Sequence, residues 1–178
     1  ADAAAGADEE ASPDTRRQQR QARRKQATAG RSEEEPVARS STRSTALPAD
    51  SGQGRRVVFS ESAQRVWLVE QGGKVQRTYL VSGSVYDNLD PGTYSVYSRS
   101  EQAWGIDNSG TMKYFVRFTR GENAAIGFHD IPELDGAPVQ TLDELGTPLS
   151  HGCIRQKRED AIALWEFAPL GTTVVVVD

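Results

Sequence analysis

Cysteine, histidine and methionine are scarce here: one Cys, two His and one Met in 178 residues. A single cysteine excludes an internal disulfide. No apolar run approaches the roughly 18 residues that mark a bilayer-crossing helix, so no helical membrane span is expected. Residues 1–50 contain no Phe, Trp, Tyr, Ile or Met, and their only large aliphatics are Val37 and Leu47. Such a stretch buries too little apolar surface to offset its ordering entropy, so residues 1–54 are expected to be a disordered, low-complexity tail or linker. The remainder, 55–178, has the size of one ordinary domain. Acidic and basic residues balance within 1–50, so the net charge of −4 falls on that domain and argues against nucleic-acid binding. Six of the ten residues at 16–25 are basic and none is acidic. This run reads either as a contact with an anionic surface or, with Glu33, Glu34 and Glu35 close behind, as a solvated linker. The chain opens on Ala1 rather than Met, consistent with a mature product whose targeting segment was removed, or with an expressed fragment.

Strand formers dominate residues 55–178. Val57-Val58-Phe59 reads as a short strand. Residues 64–70 alternate, with Val66 and Leu68 on one face and Trp67 and Val69 on the other. Gln71-Gly72-Gly73-Lys74 is a hairpin turn, and 74–81 is its return strand. Further strands are expected at 93–98, 113–118 and 124–128, with His129 at the end of the last. Residues 130–149 contain Pro132, Gly136, Pro138, Gly146 and Pro148 and read as a long loop with one helical turn near 141–145. Residues 158–167 read as a helix with Ala161, Ile162 and Trp165 on one side, and 172–177 as a central apolar strand. The expected fold is mainly β: a sandwich or partly closed barrel of about seven strands with one or two short helices.

The chemistry concentrates in Ser150-His151-Gly152-Cys153-Ile154-Arg155, which holds the only cysteine and one of the two histidines. The second, His129, follows Ile126-Gly127-Phe128. A lone Cys is by default a small buried hydrophobe. With a His elsewhere in the chain it becomes a candidate nucleophile, because such pairs meet in space rather than in sequence. Ser150 is a poor nucleophile beside a thiol. The set His129, His151 and Cys153 is also a conceivable zinc set, although no Glu is placed as the general base of a recognised zinc motif.

The hexapeptide together with the upstream His resembles the signature of the L,D-transpeptidases, the YkuD-type catalytic domain of bacterial cell-wall enzymes. Val66-Trp67-Leu68-Val69, Val81-Ser82-Gly83, Asp90-Pro91-Gly92-Thr93-Tyr94 and Gly171-Thr172-Thr173-Val174 extend the resemblance over roughly 56–178. It implies an extracytoplasmic enzyme, a monomer without metal or organic cofactor, acting on peptidoglycan stem peptides. Cys153 would attack a tetrapeptide stem, release D-alanine and pass the acyl group to an amine, giving a 3→3 cross-link. Water as acceptor would make it an L,D-carboxypeptidase, and a non-catalytic wall-binding module is the remaining alternative. Family members are acylated by carbapenems at this cysteine. By the same resemblance His129 partners the thiol and is oriented by the Asp130 carbonyl, with the Asp130 carboxylate as the other candidate. His151 belongs to the site without being its main base. Gly152 and Cys153 supply candidate oxyanion N–H groups, and Ser150 tightens the loop. Arg155 is a candidate reader of a substrate carboxylate or else a structural ion pair. Trp104 and Tyr114 are candidate groove residues or core.

Overall fold

A computed structural model describes residues 44–106 and 109–178, all within one compact unit. The segment 1–43 of the expected tail lies outside the described residues. Among the described residues the fold is mainly β, with eleven strands in two sheets and one α-helix.

The first sheet has the order β3-β2-β1-β11-β4. Here β1 is Arg56–Ser60, β2 Arg65–Val69, β3 Val75–Leu80, β4 Gly92–Ser95 and β11 Thr173–Val177. Strands β1 and β11 pair in parallel at its centre, and the other pairs are antiparallel. The alternation at 64–70 maps onto two buried faces. Val66 and Leu68 enter the main core with Val57, Phe59 and Val174, while Trp67 and Val69 form a second cluster with Val58 and Val175. The Gly-Gly turn closes the β2–β3 hairpin. Gly73 has φ +83°, and its N–H donates to the Glu70 carbonyl at 2.8 Å.

The second sheet has the order β10-β7-β6-β8-β9, with β5 also paired to β6. Its strands are β5 Ser98–Trp104, β6 Thr111–Arg120, β7 Ala125–Asp130, β8 Glu133–Leu134, β9 Ala137–Pro138 and β10 Ile154–Gln156. Helix α1, Arg158–Phe167, follows β10 and buries Ala161, Leu164 and Phe167. The expected strand count falls short because β5 and β10 carry little apolar sequence, and because the 130–149 segment contains the short β8–β9 hairpin as well as the 3-10 turn Leu142–Glu144. Among the described residues no helix is long and apolar enough to cross a membrane.

Residues 44–54, included in the expected tail, instead strap the first sheet. Leu47 packs on the Trp67 cluster, and the Trp67 indole N–H donates to the Thr45 carbonyl at 2.9 Å. Ser51 is buried, and its carbonyl accepts the Arg56 Nε–H. One large aliphatic and a few polar atoms suffice when the sheet supplies the partners. A chain starting at Ser51 is expected to have a lower urea midpoint than one starting at Ser44, reflecting a loss of roughly 1–3 kcal/mol in unfolding free energy for the indole N–H stripped of its partner and the lost Leu47 burial. Equal midpoints would show that the strap contributes nothing.

Candidate functional site

Three neighbouring strands build the site. Strand β6 pairs antiparallel with β7, placing Arg117 opposite Gly127 and Val116 opposite Phe128. Strand β10 pairs parallel with β7, placing Ile154 opposite Phe128 and Arg155 opposite His129. One step before Ile154, Cys153 lies alongside Gly127. Residues two apart on a strand share a face. One face therefore carries two rows across β6, β7 and β10: Arg117, Gly127 and Cys153 in the first, and Phe115, His129 and Arg155 in the second. The Phe115 ring meets the His129 ring edge-on at 5.3 Å and belongs with Ala103 and Met112 to the apolar cluster against Cys153.

Gly127 is the empty position of this face. A Cβ there would lie 2.2 Å from the Val116 carbonyl oxygen and 2.8 Å from the Phe115 ring. No side chain fits without moving β6.

His129 is buried, and its Nδ1 lies 2.5 Å from the Asp130 carbonyl oxygen. A carbonyl only accepts, so Nδ1 carries the proton and the neutral ring keeps its lone pair on Nε2. Burial is the main reason its pKa drops to about 4; the Asp130 carbonyl opposes the drop, and the charges of Arg155 and Arg117 add to it. The two candidate orienters in Asp130 are thus distinguished: its carbonyl faces His129. Its carboxylate accepts the Lys113 N–H at 2.7 Å and lies 2.5 Å from the Arg158 Nε.

Cys153 is partly buried and free. Burial pushes its thiol up, while the Gly127 backbone hydrogen bond and the charges of Arg117 and Arg155 pull it down. Its Sγ lies 3.5 Å from the Ala125 carbonyl oxygen. The resting arrangement is a thiol and a neutral imidazole on adjacent strands rather than an ion pair.

The loop before Cys153 is pinned at several points. The buried Ser150 hydroxyl donates to the Cys153 carbonyl at 2.5 Å and accepts the Gly152 N–H at 3.2 Å. Of the two expected oxyanion donors, Gly152 is therefore engaged by Ser150. The His151 carbonyl accepts from Asn88 Nδ2 at 2.7 Å, and its exposed ring lies 5.7 Å from the Tyr86 ring. Arg155 is half-buried, and its Nη1 approaches Gln140 Oε1 at 3.4 Å.

Trp104 and Tyr114 sit one residue away from the side chains that face the sulfur. Ala103 belongs to the cluster against which Cys153 packs, and Trp104, its neighbour on β5, is 77% exposed beside Thr111 and Glu133. Phe115 belongs to the same cluster, and Tyr114 rests on Trp165 of α1 with ring centroids 6.0 Å apart. Two residues on this face escape sequence reasoning. Arg117 lies in a polar stretch without motif character. Gly127 has a visible signal only in retrospect, as a glycine inside a strand pattern. Among the described residues no three His, Cys, Asp or Glu side chains gather as metal ligands.

Residues 54–176 match the family described as the L,D-transpeptidase catalytic domain. No curated protein matches the chain. Solved structures share the fold. An L,D-transpeptidase from Stackebrandtia nassauensis is 20% identical, with 79% of this chain and 64% of that one covered and a TM-score of 0.60. An L,D-transpeptidase from Mycobacterium tuberculosis H37Rv is 22% identical, with coverages of 71% and 59% and a TM-score of 0.57. An LD transpeptidase in complex with imipenem is 21% identical, with coverages of 71% and 60% and a TM-score of 0.58. The chain thus spans about three-fifths of the length of these proteins.

The depressed His129 pKa has a consequence for stability. His129 titrates near 4 when folded against 6.5 as the ordinary value, so between these pH values the unfolded chain binds a proton that the folded chain does not. Its contribution is complete above pH 6.5 and is lost as pH falls toward 4, amounting to about 2 kcal/mol between pH 7 and pH 5. Urea titrations at pH 7, 6 and 5 are expected to show this loss, and His129→Gln is expected to flatten it. An unchanged slope in that variant would assign the loss elsewhere. Asp130, raised by burial, acts in the opposite sense at lower pH, so the comparison stops at pH 5.

Proposed function

The chain belongs to the L,D-transpeptidase catalytic-domain family, and from that premise we propose that it is a peptidoglycan L,D-transpeptidase whose nucleophile is Cys153. The observation that carries this reading is the strand register that sets Cys153 and His129 on adjacent strands of one face, with the His129 tautomer held by the Asp130 carbonyl. Family membership supports a role in the bacterial cell wall, on the extracytoplasmic side where peptidoglycan lies.

In the proposed reaction His129 acts as a neutral base. It takes the thiol proton as Cys153 Sγ attacks the carbonyl carbon of the third residue of a tetrapeptide stem. A C–S bond forms, the C–N bond to D-alanine breaks, and the proton passes to the departing amine. The side-chain amine of a second stem then attacks the thioester and gives a proton to His129, the C–S bond breaks, the proton returns to the Cys153 sulfur, and a 3→3 cross-link results. A base near pKa 4 is weak in the resting site. It gains basicity as negative charge develops on sulfur beside it and offsets the desolvation of the imidazolium. With the Gly152 N–H engaged by Ser150, the Cys153 backbone N–H takes the role of oxyanion donor in this reading. Arg155 provides a planar cation for a substrate carboxylate. The backbone anchors of Ser150 and His151 support positioning roles for both, in keeping with His129 as the base.

Incubation with imipenem and then intact mass measurement tests the reading. Wild type is expected to gain one covalent adduct mapping to Cys153. Cys153→Ala is expected to gain none, to lose turnover on tetrapeptide stems, and to keep a melting temperature close to wild type. Wild-type-like turnover in Cys153→Ala would end the nucleophile assignment.

A further inference from the structure

Asn88 has no part in the reaction above, yet its amide lies against the residue next to Cys153. It belongs to the loop between β3 and β4. That loop is anchored on either side of it. The Val85 N–H donates to the Ser150 carbonyl at 2.9 Å, and Leu89 is buried in the main core. Asn88 itself is exposed. A Cβ built on Gly152 would stand 3.6 Å from its Nδ2, and the same Nδ2 donates to the His151 carbonyl at 2.7 Å.

That bond has a directional consequence. In a trans peptide the C=O and N–H point to opposite sides. The His151 C=O meets Asn88, and the Gly152 N–H of the same peptide meets Ser150 Oγ at 3.2 Å. One peptide plane is thus gripped at both edges by two different side chains. Beyond it, the Cys153 carbonyl accepts the Ser150 hydroxyl at 2.5 Å. The Gly152–Cys153 peptide, which carries the Cys153 N–H, lies between these two held planes. Loss of the Asn88 amide frees the carbonyl edge and leaves the longer Ser150 contact at the other. The plain alternative is a loop tie that merely joins the β3–β4 connection to the segment 150–155.

We propose that Asn88 is a positioning residue for acyl transfer: its amide, by holding the His151 carbonyl, fixes the Cys153 N–H where the oxyanion of the substrate carbonyl forms. The inference rests on Cys153 being the nucleophile. As Sγ bonds to the carbonyl carbon, the C=O π electrons move to oxygen. They return when the C–N bond breaks and the nitrogen takes the proton held by His129. Asn88 gains and loses no proton in this step; it acts through the backbone.

The test compares two reactions of the same thiol. Imipenem acylates it through an oxyanion. Iodoacetamide alkylates it by displacing iodide at a CH2 carbon, with no oxyanion on the path. Both draw on the same sulfur, so the ratio of the two rates cancels changes in its access and acidity and isolates the oxyanion donor. Asn88→Ala removes the amide, Asn88→Leu keeps its approximate size without a donor, and Cys153→Ala is the blank. An exposed bond of this kind contributes modestly to stability, so both Asn88 variants are expected to fold. A small misplacement of a catalytic group costs up to about a hundredfold, so both are expected to be acylated at least about tenfold more slowly than wild type. Their alkylation is expected to stay within about twofold of wild type, because the surroundings of the sulfur are unchanged. Wild-type ratios in both variants would overturn the proposal. So would equal losses with the two reagents, which would make Asn88 a support for the thiol itself. A wild-type ratio in Asn88→Leu alone would also overturn it, making the effect one of shape. Failure of the nucleophile reading is separable, because wild type would then take no imipenem adduct at Cys153. A failure confined to Asn88 leaves that adduct in place and the ratio unmoved.

Discussion

The site depends on the close approach of β6 and β7 at Gly127. A Cβ at that position would stand 2.2 Å from the Val116 carbonyl oxygen, far inside van der Waals contact. Glycine costs chain entropy in a strand interior, and here it lets the β6 backbone and the Phe115 ring close over β7. The register then propagates across three strands. Phe115 meets His129, Arg155 sits beside His129, and Cys153 sits beside the gap that Gly127 leaves. Because side chains alternate with period two, a slip of one residue in either pairing would turn Cys153 or His129 to the opposite face.

Burial governs the electrostatics that this register creates. Desolvation is the largest influence on both His129 and Cys153, and in each case it favours the neutral form. A buried thiol and a buried neutral imidazole need no counter-ion at rest, which explains how two titratable groups lie against Phe115, Met112 and Ala103 without a carboxylate between them. The neighbouring carboxylate, Asp130, is turned away and tied to the Lys113 N–H and Arg158. Held there, it orients the His129 ring through its carbonyl alone and adds little negative charge to the face that carries Cys153.

Much of this was legible in the residues. The alternation at 64–70 assigned both faces of β2 correctly, because that strand is buried on both sides by apolar partners. The Gly-Gly hairpin, the 158–167 helix and the strand that carries His129 come from turn chemistry and periodicity, although that strand runs on to Asp130. The elements that escaped are polar or short. Strand β5 reads SRSEQAW and is held by pairing with β6 rather than by its own apolar pattern. Strand β10 spans three residues and exists because β7 offers it a parallel partner. Trp104 and Tyr114 drew notice as large aromatics, yet alternation gives the sulfur to their neighbours Ala103 and Phe115. Tyr114 also has φ +56° where β5 and β6 pass from the Ser100–Phe115 pair to the Gln102–Lys113 pair, leaving Glu101 and Tyr114 between them, an irregularity no residue-level pattern announces.

The strand that follows Cys153 is clamped from its other side as well, and this joins two motifs far apart in the chain. Ser82 and Arg155 exchange N–H to carbonyl hydrogen bonds at 2.9 Å, and the Ser150 N–H donates to the Gly83 carbonyl while the Ser150 carbonyl accepts from Val85. The Val81-Ser82-Gly83 stretch leaving β3 thus acts as a second edge for the segment 150–155, opposite β7. Gly83 is itself fixed: Gln64, at the end of the turn after β1 with φ +47°, accepts the Gly83 N–H on its side-chain oxygen at 2.5 Å. Gln140 spans the same junction, donating to Ser82 Oγ at 2.9 Å and approaching Arg155. Backbone pairing on both edges leaves the Cys153 loop little freedom to relax. That rigidity holds a partly buried thiol, a neutral histidine and Arg155 in fixed positions, with their electrostatics set by the fold itself.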